Sequence, residues 1–208
     1  MFQSPDSGSL IHLATRRVLV VDDEPTLRLG FSYALSNKTT HVETAATGRQ
    51  ALDATAKADF DVIILDLRMP DIDGLGVIKS LRNVGIQTPI VLCSAGLNSS
   101  STMQALLNGV VDFLHKPICP AELRGVVDFI LTPANQPFPQ AMRAARKGAY
   151  DVALGFLSQA ASPDVQAKAW VDIFTLLLNE KHKGETFLLE QHVNQHLNLL
   201  AYRETGVV

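Results

Sequence analysis

Five short runs of apolar, mostly β-branched residues recur along the first two thirds of this chain, and a longer amphipathic stretch succeeds each of them. The runs are Val18-Leu19-Val20-Val21, His41 to Ala45, Val62-Ile63-Ile64-Leu65, Ile90-Val91-Leu92-Cys93 and Val111 to Leu114. Three are apolar at nearly every position, the pattern of central parallel strands covered on both faces. The spacing predicts helices over residues 25–36, 48–57, 75–83, 101–107 and 120–131. Pro25 suits a first helical turn, where its missing N–H is not needed. Strands alternating with helices specify an α/β fold, a five-stranded doubly wound parallel sheet. Such sheets place their chemistry at the C-terminal ends of the strands, near the point where strand order reverses.

The strand ends are where the chemistry-bearing residues fall. The first run terminates in Asp22-Asp23-Glu24, the third in Asp66 and the fourth in Ser94, and the fifth leads to Lys116-Pro117. Adjacent parallel strands bring these distant residues to one rim. Clustered carboxylates repel one another, and a hard dication among them lowers that cost. Mg²⁺ fits, because it keeps several waters while accepting one or two carboxylates plus phosphate oxygens. Asp66 then serves as a nucleophile toward a phosphoryl group, screened by the metal. Lys116 can place its ammonium on one phosphoryl oxygen and Ser94 its hydroxyl on another. Any one of these residues alone would most simply be a solvated surface charge. Five together, gathered at the ends of four strands, argue against that simpler reading.

Composition sets the class. With 47% apolar and 19% charged residues and a formal net charge of −3, the chain has material for real cores and no excess of one charge. Basic residues occur singly or in pairs such as Arg16-Arg17 and Arg146-Lys147, so no stripe tracks a phosphate backbone. The two cysteines, Cys93 and Cys119, lack metal-ligand spacing and read as ordinary buried thiols of a reducing, cytoplasmic compartment. No apolar run approaches the roughly 20 residues of a membrane helix, and the polar opening segment does not read as a signal peptide.

The segments VLVVDDEP (18–25), VIILDLRMPDIDG (62–74), PIVLCSA (89–95) and DFLHKP (112–117) together resemble the receiver domains of bacterial two-component response regulators, over roughly residues 16–131. The resemblance implies a CheY-like, flavodoxin-like sheet of strand order 2-1-3-4-5. It also implies phosphotransfer to Asp66 from a histidine kinase or histidine phosphotransfer protein. Asp22 and Asp23 become the acidic pair, with Asp23 and Asp66 touching Mg²⁺ directly and the backbone carbonyl of Arg68 as a further ligand. Ser94 and Phe113 fill the switch positions: the hydroxyl moves toward the phosphoryl group and the aromatic swings inward behind it. The alternative for Phe113 is an ordinary core aromatic. Two positions modulate the site, Arg68 by altering access of the hydrolytic water and Ala95 by leaving the pocket open to a partner. Chemistry is limited to self-directed phosphotransfer and autodephosphorylation, so the chain reads as a phosphoacceptor and not an enzyme.

Beyond Leu131 the pattern changes. Residues 1–15 read as a flexible lead-in, 16–131 as the receiver, 132–140 as a Pro-rich linker, and 141–208 as an all-α output region. Residues 144–163 resemble half of a tetratricopeptide repeat, with Gly148, Tyr150, Ala153, Ala160 and Pro163 at the expected offsets and a poorer second pass from Trp170 to residues 183–187. So short a repeat array leaves apolar surface over, and the segments 173–178 and 187–189 are candidates to meet a protein partner or a second copy of the chain. A small helical bundle is the alternative. His192 and His196 lie four apart but lack a third ligand and read as exposed helix residues. With seven Lys/Arg against seven Asp/Glu from Pro133 onward and no basic recognition helix, nucleic acid is expected to be an unlikely partner. The expected output is therefore a phosphorylation-switched protein–protein interaction or self-association, with a DNA- or RNA-binding transcriptional regulator as the rival.

Overall fold

In a computed structural model of the chain, the structure describes residues 15–96, 99–131, 137–146, 149–159, 171–175 and 178. Most of the lead-in, Gly148, Ala160, Pro163, Trp170, the segments 183–187 and 187–189, and His192 and His196 lie outside the described residues.

The alternation read from the sequence becomes β1 (Arg16–Val21), α1 (Pro25–Leu35), β2 (Thr40–Ala45), α2 (Gly48–Lys57), β3 (Val62–Asp66), α3 (Gly74–Asn83), β4 (Ile90–Ser94), α4 (Ser99–Leu107), β5 (Asp112–His115) and α5 (Pro120–Ile130). All four neighbouring strand pairs are parallel, and the order is β2-β1-β3-β4-β5. This is the doubly wound sheet expected from the apolar runs. Strands β3 and β4 are buried along their whole length, and β1 over its last four residues, as the three most apolar runs require. At the sheet edge, β2 has the mixed pattern of a strand with one partner, with only Thr40 and Ala45 buried.

Helix starts are set by local chemistry. Pro25 opens α1 and Pro120 opens α5, where no N–H is needed. Thr47 and Asp73 cap α2 and α3 through side-chain oxygens that accept the N–H groups of Gln50 and Gly76. Packing of Val77, Ile78 and Leu81 of α3 under the sheet contributes roughly 1.5–3 kcal/mol per side chain.

Past the sheet, α6 (Pro137–Arg146) and α7 (Tyr150–Leu157) pack against each other. Helix α6 begins inside the stretch expected to be a linker. Pro137 and Pro139 fall in its first turn, where a missing N–H breaks no intrahelical bond, so these prolines start a helix instead of preventing one. Ala141, Ala153, Tyr150 and Leu157 are buried, and the Tyr150 ring stacks on Phe174 with centroids 6.0 Å apart. Burial pushes the Tyr150 phenol above its ordinary pKa. The helices form a pair, but they do not show the tetratricopeptide repeat expected here. No described helix is long and apolar enough to cross a membrane.

Candidate functional site

Because β1 lies beside β3, β3 beside β4 and β4 beside β5, the C-terminal ends of these strands form one continuous rim. Asp22 comes directly after β1, Asp66 closes β3, Ser94 closes β4, and Lys116 comes directly after β5. The register sets Asp66 opposite Cys93 and Ser94 opposite His115, so Ser94 stands one residue above the level of Asp66. The backbone closes the arrangement: Lys116 N–H donates to the Ser94 carbonyl at 3.1 Å, and Leu67 N–H donates to the Cys93 carbonyl at 3.3 Å.

Carboxylate oxygens of Asp22, Asp23 and Asp66 all lie within 4.8 Å of one another. Asp22 and Asp66 are buried at 1% and 6% exposure, whereas Asp23 is open to solvent. Three carboxylates so placed repel, and the structure answers with an internal cation. Lys116 Nζ donates to Asp22 Oδ2 at 2.7 Å and to Asp66 Oδ2 at 2.8 Å. Burial works against the ammonium, but those two hydrogen bonds and the attraction of both carboxylates outweigh it and raise the Lys116 pKa above its ordinary value. The remaining oxygens are held by backbone: Asp22 Oδ1 accepts Glu24 N–H at 2.9 Å, and Asp66 Oδ1 accepts Arg68 N–H at 3.2 Å.

The donor set fits the expected metal. Three hard carboxylate oxygens with one acid facing water can take a cation that keeps part of its hydration, the habit of Mg²⁺. Asp22, Asp23 and Asp66 thus form an acidic cluster typical of the Mg²⁺-binding site of receiver domains.

The other expected residues lie around this cluster. Ser94 is buried and its Oγ accepts Gly96 N–H at 3.2 Å. Phe113 is buried on β5, with its N–H donating to Asp112 Oδ1 at 2.9 Å. Ala95 is exposed beside the rim. The exposed Arg68 lays its guanidinium over the β4–α4 connection, where a side chain at Gly96 would stand 2.6 Å from Arg68 Nη2. Cys93 is a buried free thiol, its pKa pushed up chiefly by burial. Cys119 is free but exposed, a correction to its reading as buried: it lies beyond β5 and caps α5, its Sγ accepting Glu122 N–H at 3.3 Å.

Several supporting residues escaped the sequence reading. Arg28 on α1 donates to the Asp22 carbonyl at 2.6 Å and fixes the acidic turn. Gly74 supports Asp66 from below: its N–H donates to the Leu67 carbonyl at 2.9 Å, and a Cβ there would stand 2.5 Å from the Asp66 carbonyl oxygen. The MPDIDG segment contained the signal for Gly74, because a glycine at a helix start after a loop marks close backbone approach.

A buried aspartate at the centre of such a rim, flanked by acids and a lysine, defines a phosphoacceptor domain of two-component signalling, in which an aspartate receives a phosphoryl group and no separate substrate is turned over. Residues 18–128 match the family described as the response regulator receiver domain, and the chain belongs to that family. It is 36% identical over 116 residues to the regulatory protein AtoC of Escherichia coli K12, covering 55% of this chain and 25% of that protein. It is 41% identical over 100 residues to the transcriptional regulatory protein KdpE of Mycobacterium tuberculosis H37Rv, covering 48% of this chain and 44% of that one. Among solved structures, the chemotaxis protein CheY4 of Vibrio cholerae superposes with a TM-score of 0.53 at 33% identity, covering 57% of this chain and all of that one. The chain spans less than half the length of these two curated relatives.

Those relatives overturn the expectation that nucleic acid is an unlikely partner, since KdpE is a transcriptional regulatory protein by name. The physical flaw was to weigh net charge. Equal numbers of acids and bases say nothing of how they are distributed, and a few Arg or Lys contacts suffice to position a small domain on a phosphate backbone.

Proposed function

We propose that this chain is a response regulator in which Asp66 accepts a phosphoryl group from a histidine kinase or histidine phosphotransfer protein, and that the phosphorylated state controls a nucleic-acid-binding, transcriptional output. The observation that carries the first half is the buried Asp66 carboxylate held by Lys116 Nζ at 2.8 Å beside Asp22 and Asp23. The second half is supported by the kinship of its receiver with transcriptional regulators. It displaces the expected switch of a protein–protein contact.

An Asp66 carboxylate oxygen attacks phosphorus in line as the bond from phosphorus to the donor's imidazole nitrogen breaks, and the imidazole leaves as the neutral ring after taking a proton. Asp22, Asp23, Asp66 and the Arg68 carbonyl would hold Mg²⁺, which when bound offsets the charge gathered on the transferring group. Lys116 keeps its ammonium on the rim and passes from Asp66 Oδ2 to a phosphoryl oxygen. Ser94 gives up the Gly96 N–H as its partner and donates its hydroxyl to a second oxygen, with Phe113 buried behind it. Arg68, lying over Gly96, controls approach of the hydrolytic water, and Ala95 leaves the rim open. The receiver occupies residues 16–131 and the output lies beyond it. The free thiols accord with a cytoplasmic protein.

The test uses the full chain, wild type and Asp66→Ala, each with Mg²⁺ and a small acyl phosphate. Intact mass reads phosphorylation, and retention on DNA and RNA over a salt series reads the output. One added phosphoryl group in wild type alone, with binding that changes on phosphorylation and weakens with salt, is the expected result. A failure of wild type to take up the group rejects Asp66 as acceptor, and phosphorylation with no nucleic-acid binding in either state rejects the output.

A further inference from the structure

Leu67 to Asp73 carry the chain from the end of β3 to the start of α3. Near the sheet this loop is tied down: Leu67 is buried, its N–H donates to the Cys93 carbonyl at 3.3 Å, and its own carbonyl accepts Gly74 N–H at 2.9 Å. Arg68 N–H donates to Asp66 Oδ1 at 3.2 Å. At the far end Asp73 caps α3, its Oδ1 accepting Gly76 N–H at 2.7 Å.

Asp71 reaches out of the loop to a different helix. Its two carboxylate oxygens accept one amide each from the first turn of α2, Oδ1 from Gly48 and Oδ2 from Arg49, both at 3.0 Å. Those N–H groups are among the ones a helix start leaves without intrahelical partners, and the partial positive charge there favours a carboxylate. Thr47 already caps α2 from within, its Oγ1 accepting Gln50 N–H at 3.2 Å, so Asp71 is a second acceptor supplied from 22 and 23 positions away. The two segments meet closely. A Cβ on Gly48 would stand 2.4 Å from the Ile72 carbonyl oxygen, and the glycine lets α2 close on the loop backbone.

Between these anchors lies the Arg68 carbonyl. Mg²⁺ demands near-ideal octahedral geometry at roughly 2.0–2.1 Å, whereas Ca²⁺ accepts flexible geometry at roughly 2.3–2.6 Å. A carbonyl on a loop that has lost one anchor suits the second ion better than the first.

We propose that Asp71 is a positioning residue for the metal site: by pinning the β3–α3 loop to the N-terminus of α2 it holds the Arg68 carbonyl where Mg²⁺ needs it, and so raises the affinity for Mg²⁺ relative to Ca²⁺. This rests on the Mg²⁺ reading of the rim with Arg68 as its carbonyl ligand. Asp71 acts through the loop, without touching the ion.

Calorimetric titration of the full chain with Mg²⁺ and, separately, with Ca²⁺ tests it, below the melting range and without any phosphoryl donor. Asp71→Ala is expected to lose roughly 10-fold in Mg²⁺ affinity, the scale on which removing a group that orients a metal ligand acts, and less in Ca²⁺ affinity. Gly48→Ala, which forces α2 off the Ile72 carbonyl with no change of charge, repeats the comparison where Asp71→Ala fails to fold and should lower the same ratio. Gln50→Ala is the control: its Oε1 accepts Ala46 N–H at 2.8 Å, so its loss weakens the start of α2 but leaves the loop alone, and the ratio should stay at the wild-type value. Equal losses for both ions in Asp71→Ala would report only its missing charge or a general loosening, and overturn the proposal. The same fall in ratio in Gln50→Ala overturns it too. Wild type that binds neither ion sinks the metal reading and the proposal together, whereas wild type that binds Mg²⁺ no better than Asp71→Ala does sinks the proposal alone.

Discussion

Lys116 and Asp66, fifty positions apart in the chain, meet at 2.8 Å, and the same ammonium holds Asp22 at 2.7 Å. The lysine occupies the electrostatic role that a metal would otherwise fill alone. Removing it leaves two buried carboxylates facing each other. Lys116→Met is therefore expected to destabilise the metal-free protein by about 3 kcal/mol. It should also bind Mg²⁺ several-fold more tightly, since its only competitor inside the cluster is gone. Urea titration with and without Mg²⁺ measures both effects, and the stability gap between variant and wild type should narrow as Mg²⁺ is added.

The same contact sets an alkaline limit. The Lys116 pKa is raised in the folded chain, so its ion pairs contribute fully below the unfolded lysine value of 10.5 and are lost as pH rises through the folded value. Stability should fall above about pH 10.5 more steeply in wild type than in Lys116→Met, as read by thermal melts across that range.

A second carboxylate gives the opposite sign. Asp71, in the loop after β3, accepts the N–H of Arg49 and of Gly48 at 3.0 Å each and so caps α2 from outside. The backbone N–H groups of Arg49, then Ile72, then Gly48, and last the Thr47 side chain, outweigh burial and hold its carboxyl well below the ordinary value of 3.8. A depressed pKa stabilises the fold above the unfolded value and loses that contribution as pH falls through the folded one. Asp71→Asn should melt below wild type at neutral pH, with the gap narrowing as pH falls below about 4, where the unfolded carboxylate takes up a proton that the folded one still lacks, and closing only as pH falls through the folded value.

These features differ in how far the sequence discloses them. Central parallel strands are legible because burial on both faces forces continuous apolar runs, and Asp66, Ser94 and Lys116 are legible because each stands at or just past the end of such a run. Asp71 and Arg82 are not, since the partners that tie them to other elements are backbone groups 22 to 27 residues away, and a backbone partner leaves no residue-type signature. The start of α6 was misread for a related reason: proline signals a linker and a first helical turn equally well, and only the packing of Ala141 and its neighbours against α7 decides between them. Nucleic acid was wrongly set aside as a partner because net charge averages over a surface whose arrangement composition cannot encode.

Arg82 is a cation with four backbone acceptors and no acid partner among the described residues, and burial lowers its pKa. Arg82→Ala leaves these carbonyls without their donor and should cost about 2–4 kcal/mol by urea unfolding. Arg82→Lys should recover only part of that, because one ammonium cannot span the four acceptors that the planar fork reaches.

Gly74 links fold and chemistry most directly. A Cβ built there stands 2.5 Å from the Asp66 carbonyl oxygen and 2.9 Å from the Leu67 Cα, and both obstacles are backbone, which cannot rotate aside. Gly74→Ala must push α3 away from the end of β3 or displace Asp66 itself. The first response lowers stability by about 1–3 kcal/mol, in the manner of an overpacked core. The second also moves the acceptor carboxylate away from Lys116 Nζ and slows phosphorylation. Comparing the urea midpoint with the rate of mass gain from a small acyl phosphate separates them, and since the clash is with Asp66's own backbone, both should fall. A variant phosphorylated at the wild-type rate would show that α3 alone absorbs the strain and that Gly74 serves packing only.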